Sequence, residues 1–214
     1  MRGIRERFQR RLRLAWRWLA LPAALAWLSA CGGDASLLNS DRIEERYGSY
    51  GVEIIDSDAR GRRSNLYSVH DGQRICRTYA VVRFLAGATA GDEPALRAAH
   101  ARVLDGASIG ATLREAGFTV HKRSLAAGAL PLPVTEPAWG RLMGLSSVAG
   151  LAVYEYRLSI NKGSQSIDYA EITEVYHPDY LRPADVYAIA PDAAGLDDAA
   201  IPDDVLVQLG LTAG

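Results

Sequence analysis

The stretch LAVYEYRLSINKGSQSIDYAEITEVY, residues 151–176, decides the fold. Two runs rich in β-branched and aromatic residues, Leu151 to Ile160 and Ser166 to Tyr176, flank the polar turn Asn161-Lys162-Gly163-Ser164, the pattern of a β-hairpin. A second hairpin reads upstream. Leu66 to Val69 and Arg74 to Leu85 flank His70-Asp71-Gly72-Gln73, where Asp-Gly supplies the positive φ of a tight turn. Tyr50 to Ile55 reads as another strand, closing at Asp56-Ser57-Asp58, and Phe118 to Ser124 as one more.

Helical signals fall mainly between the hairpins. Asp92 to Gly106 has a capping residue in Asp92, Pro94 in the first turn, an apolar stripe of Leu96, Ala99 and Val103, and Gly106 to end it. Ile109 to Ala116 is a shorter helix, capped by Ser108 and stopped by Gly117. Trp139 to Leu145 reads as a helical turn under the sheet, Asp41 to Arg46 as one at its start, and Pro131, Pro133 and Pro137 mark a connection. The pattern predicts an α+β domain: a mainly antiparallel sheet of two hairpins with two or three short helices inserted between them. A doubly wound parallel sheet would need strands and helices to alternate throughout.

Ahead of this domain, arginines at 2, 5, 7, 10, 11, 13 and 17 precede an uncharged run from Trp18 to Ala30. Spanning a membrane takes about 20 apolar residues; this run is shorter and holds Pro22, so it reads as an export signal. It ends in Leu28-Ser29-Ala30-Cys31-Gly32, which resembles the lipobox of bacterial lipoproteins. The resemblance implies cleavage between Ala30 and Cys31, a diacylglyceryl group on the Cys31 thiol and acylation of the new amino terminus. Gly32, where such proteins carry aspartate for inner-membrane retention, implies the periplasmic face of the outer membrane. Tyr47-Gly48-Ser49-Tyr50-Gly51, Ser108-Ile109-Gly110 and His177-Pro178-Asp179-Tyr180-Leu181 look like landmarks of such a lipoprotein group. The expected organisation is a signal peptide over 1–30, a tether over 31–40, one domain over 41–190 and an acidic tail over 191–214 with a short helix beginning near Ile201-Pro202.

Without the leader, 17 basic residues face 24 acidic ones, a net charge of −7. That balance argues against nucleic acid, which demands a basic stripe. The short cluster Arg60, Arg62, Arg63 reads as a solvated loop beside Gly61. Of the two cysteines, lipidation would consume Cys31. Cys76 shares a strand face with Thr78, Ala80, Val82 and Phe84, with Arg77 and Arg83 on the other, which makes it a small core residue without a basic neighbour on its own face to activate it.

Candidate chemistry is sparse. Gly106-Ala107-Ser108-Ile109-Gly110 matches the Gly-x-Ser-x-Gly pattern of serine hydrolases, and Asp168 and His177 follow in chain order. At about 3.3 Å per strand residue those two lie nearly 30 Å apart, and a helix terminator followed by an N-cap accounts for Gly106 and Ser108 without catalysis. His177 and Asp179, where the last strand leaves the sheet, form a candidate ligand-binding pair, and Pro178 between them equally suits a plain turn. Tyr154 and Tyr156 suit cross-strand packing or, on an uncovered face, an interface. His70, His100, His121 and His177 have no metal-ligand spacing, and no phosphate loop or cofactor motif is present, so no metal and no cofactor are expected. The resulting expectation is a non-catalytic cell-envelope lipoprotein, held to the membrane through Cys31 and binding a protein or small envelope component. An envelope serine hydrolase using Ser108 and His177 is the alternative, and a structural spacer would need long charged helices that the sequence lacks.

Overall fold

The computed structural model describes residues 37–90, 93–130, 138–145 and 150–193, together with Val207 and Leu209. The expected signal peptide, the lipidation site Cys31 and most of the acidic tail lie outside the described residues.

Six strands form one sheet: β1 (Gly51–Ser57), β2 (Gly61–His70), β3 (Gln73–Phe84), β4 (Thr119–Leu130), β5 (Leu151–Lys162) and β6 (Gln165–Tyr176). Their order is β1-β2-β3-β6-β5-β4, and every pair is antiparallel. The sheet is thus two three-stranded meanders joined along one seam, where Thr78 lies opposite Tyr176 and Phe84 opposite Ala170. The expected α+β class holds. Both hairpin turns are where the sequence put them: Asp71 and Gly72 take φ values of 49° and 76°, and Gly163 takes 61°.

The helices are α1 (Asn39–Tyr47), α2 (Ala86–Ala90), α3 (Pro94–Leu104), α4 (Ile109–Glu115), α5 (Ala138–Leu142) and α6 (Pro183–Ile189), followed by a 3-10 turn at Pro191–Ala193. Strand β3 ends at the centre of the sheet and β4 begins at its far edge, so α2 to α4 carry the chain across one face. They bury Leu96, Val103 and Leu113 completely against Val82, Phe84, Leu158 and Ile172. Each such side chain stabilises the fold by about 1.5–3 kcal/mol. Glu93 occupies the N-cap of α3, and the expected cap Asp92 lies outside the described residues. Ser108 stands at the expected N-cap position of α4 with extended backbone, but its side chain makes no capping hydrogen bond. The domain starts earlier than residue 41, because Leu38, Asn39 and Ser40, expected in a tether, are buried.

The other face carries a second cluster: Tyr79, Val81, Val153 and Val175 beneath Trp139, Met143 and Leu209. The Trp139 indole donates to the Leu209 carbonyl oxygen at 2.8 Å.

Four one-residue bulges interrupt the ladders, at Ile55, Arg77, Leu125 and Tyr169. Each reverses the facing of the chain beyond it. The bulge at Arg77 corrects the expectation for Cys76: the thiol is buried, but with Tyr79 and Val81, on the face opposite Ala80, Val82 and Phe84. The bulge at Tyr169 turns that ring toward the helices, edge-on to Phe84 and His100, with its hydroxyl 2.8 Å from His100 Nδ1.

Candidate functional site

Alternation along β2 places Arg62, Ser64 and Leu66 on the helix-covered face, opposite Val82, Ala80 and Thr78. The expected solvated arginine loop is therefore corrected at its centre: Arg62 is a strand residue only 5% exposed. Between this strand, α1 and the start of α4 lies a cavity of about 50 Å³. Its polar lining includes Arg62, Ser64, Tyr50, Ser108, Asn39 and Glu174, and Leu38 and Gly110 border it.

The Arg62 guanidinium donates from Nη1 to the carbonyl oxygens of Val103 at 3.1 Å and Ala107 at 2.9 Å. These lie at the carboxyl end of α3, where carbonyls lack helical partners and the helix dipole is negative. That end offsets only part of the charge. Arg62 Nε has no hydrogen-bond partner, nor has the hydroxyl of Ser64, which is fully buried. Burial lowers the Arg62 pKa, and the groups opposing this are the Tyr50 and Tyr169 hydroxyls, with no carboxylate among them. Burial also pushes the Tyr50 hydroxyl up to about 12, tempered by its hydrogen bond with Ser108.

Beside the arginine, polar groups are fully satisfied. Glu174 accepts from Asn39 Nδ2 at 3.0 Å and from the Tyr156 and Tyr176 hydroxyls at 3.4 and 2.6 Å. Asn39 Oδ1 accepts from the Tyr180 hydroxyl at 2.7 Å. This network fixes α1 to the sheet and leaves Arg62 and Ser64 as the cavity's open polar wall.

The residues singled out from sequence do not assemble into a triad. Ser108 bonds Tyr50 rather than a histidine. His177 sits where β6 leaves the sheet; its backbone N–H donates to the Arg77 carbonyl oxygen, and its Nδ1 accepts from the Asp179 backbone N–H at 3.1 Å. Burial lowers the His177 pKa. Asp168 is held by Ser159 at 2.6 Å and by Arg157. The second glycine of the Gly-x-Ser-x-Gly match has a packing reason, because a Cβ on Gly110 would overlap the Leu38 side chain. Tyr154 and Tyr156 are each 4% exposed with ring centroids 5.0 Å apart, so they form core and not a docking face. Asp179 is exposed, and its carbonyl oxygen accepts from Arg46 and Tyr47. Among the described residues no group of three or more His, Cys, Asp or Glu side chains is placed to hold a metal ion.

The site is thus a small cavity inside an antiparallel α+β domain, lined by a buried cation, Arg62, and by a hydrogen-bonded carboxylate, Glu174. No protein-family model matches the chain, and no curated protein does. Among solved structures it is similar to a possible transcriptional regulator, YydK, from Bacillus subtilis, at 14% identity and a TM-score of 0.37 over 70% of this chain and 66% of that one. It is also similar to the C-terminal domain of the histidine utilization repressor from Pseudomonas syringae pv. tomato, at 10% identity and a TM-score of 0.32 over 62% of this chain and 94% of that one. The chain spans just under two thirds of the first of these structures. Both are described as regulators or parts of one, and neither as the cell-envelope lipoprotein that the sequence led us to expect. Neither description carries the expected outer-membrane location, membrane contact through Cys31 or envelope partner.

Proposed function

We propose that the domain binds a small organic anion, with Arg62 as its counter-charge and Ser64 as a second donor. The observation that carries this reading is a buried guanidinium without a carboxylate partner, facing a cavity whose other open polar atom is also unsatisfied. Removing a cation from water costs several kcal/mol, so a fold that keeps one unpaired holds it for an incoming anion. A water occupies about 30 Å³, so the cavity of about 50 Å³ takes only the head of a ligand. A larger molecule enters by displacing Leu38, the apolar residue that borders the cavity just ahead of α1.

Titration calorimetry and thermal unfolding with a panel of small carboxylates and phosphates test this. A binding anion is expected to raise stability by about 2.7 kcal/mol at a hundred times its Kd. The substitution Arg62→Met is expected to weaken that anion by about a hundredfold or more. Equal binding by Arg62→Met, or no saturable stabilisation by any anion, overturns the reading.

A further inference from the structure

The chain carries 22 arginines and only two lysines. Lys162 is an ordinary solvated lysine, 43% exposed at its side chain and paired with Glu93 at 2.9 Å. Lys122 is not. It stands on β4 opposite Leu158, half-buried, with its Nζ 4.6 Å above the Tyr156 ring. It opens on a cleft of about 100 Å³, separate from the Arg62 cavity, whose other walls are Arg42, Tyr154, Ile189, Ala190 and Asp192.

The carboxylate in that cleft is already engaged. Asp192 accepts from the Ser124 backbone N–H at 3.0 Å and from its hydroxyl at 2.7 Å. The Tyr154 hydroxyl lies 2.8 Å from the same Ser124 oxygen, which leaves a hydroxyl chain running from Tyr154 through Ser124 to Asp192. Glu174 on β6 and Asp41 on α1 favour the Lys122 ammonium only from a distance. Burial opposes it first, and Arg42 on α1 and Arg114 on α4 add to that; together they bring Lys122 down to about 8.

We propose that Lys122 is a Schiff-base-forming amine, and that its cleft takes a small carbonyl compound bearing an anionic group, of the 2-oxo acid or anionic aldehyde class. An arginine stays charged and cannot attack a carbonyl, whereas a desolvated lysine beside another cation can. In a chain that meets nearly every other need for a cation with arginine, the lysine in the cleft is the chemically distinct choice. The neutral amine attacks the carbonyl carbon, the C–N bond forms, and the nitrogen proton passes to the carbonyl oxygen to give a carbinolamine. Loss of that hydroxyl as water, with a second proton from the nitrogen, gives the imine. Tyr154 and Asp192 line the same cleft and are joined through Ser124, and the movement of these protons is assigned to this hydroxyl chain. Arg42 supplies positive charge for the anionic group.

The experiment treats the folded protein with glyoxylate and cyanoborohydride near pH 8 and maps adducts by peptide mass spectrometry, with Lys162 as the internal control. Lys122 is expected to trap at least tenfold faster than Lys162, with the difference lost in denaturant. Lys122→Arg should remove the fast adduct while leaving Lys162 unchanged. Tyr154→Phe should slow trapping at Lys122 by about a hundredfold, the usual scale of lost acid–base assistance, while keeping the far-ultraviolet circular dichroism of the folded parent. Equal rates at the two lysines overturn the proposal, as does an unchanged rate in Tyr154→Phe. Trapping at Lys122 that persists in Arg62→Met keeps this site distinct from the anion cavity.

Discussion

Ser64 shows at the scale of one residue how the proposed site and the stability of the fold pull against each other. Its buried hydroxyl has no partner, so Ser64→Ala should stabilise the unliganded protein by about 1 kcal/mol in urea unfolding. The same change should weaken anion binding; a loss of stability instead would mean that the hydroxyl is satisfied in solution. Cys76 illustrates the opposite case, a reactive group made inert. Burial pushes its thiol up to about 12, and its Sγ lies 3.5 Å from Asn65 Oδ1. Native protein should resist a disulfide reagent at neutral pH and react fully once unfolded. His100 ties a single residue to pH. Burial lowers its pKa, and its Nε2 has no partner. The unfolded state, with a histidine pKa of about 6.5, therefore binds more protons as the medium acidifies. The stability contributed by neutral His100 is complete above that value and is lost as pH falls through the lower folded-state value. Urea midpoints at pH 7 and 5 should differ less in His100→Gln than in the parent protein.

At the scale of elements, the hairpins were legible because their signals are local. Asp71-Gly72 supplies positive φ, and alternating apolar residues on either side fix the register. Helices α3 and α4 were legible for the same reason: Pro94, Gly106 and Ser108 punctuate them within a few residues. What could not be read was facing. A bulge is one unpaired residue whose sequence looks like any other strand residue, and the ones at Arg77 and Tyr169 place Cys76 and the Tyr169 ring where strict alternation does not. Strand β4 also ran on past Ser124 to Leu130 through Ala126, Ala127 and Gly128. These small residues are weak strand signals, but Tyr187 of α6 packs close enough for its hydroxyl to reach the Ala127 carbonyl oxygen at 3.3 Å. Arg62 was missed because it sits in a basic cluster, although the alternation Arg62, Ser64, Leu66 marked its face. The contact of Leu38 with Gly110 gives this scale its own test. Gly110→Ala should cost about 1–3 kcal/mol by overpacking, and Leu38→Ala in the same chain should recover part of that loss, a non-additive pair in a double-mutant cycle.

The whole molecule is organised by the seam between the two meanders. Strands β3 and β6 have neighbours on both sides and apolar cover on both faces, whereas among the described residues β1 and β4 are the end strands, each paired along one edge. Hydrogen exchange should therefore be slowest, near the global unfolding free energy, for amides from Thr78 to Phe84 and from Ala170 to Tyr176, and faster along β1. Comparable exchange in β1 and β3 would show that the sheet does not open from its margin.

That seam also sets the order of events in time. Each meander closes through short turns, but residues paired across the seam stand about ninety positions apart, and closing so long a loop must be offset before the pairing rewards it. The slow step of refolding is then the meeting of two partly formed halves. Substitutions at Val82 or Ile172 should retard that step, while those near Asp71 or Gly163 should chiefly hasten unfolding.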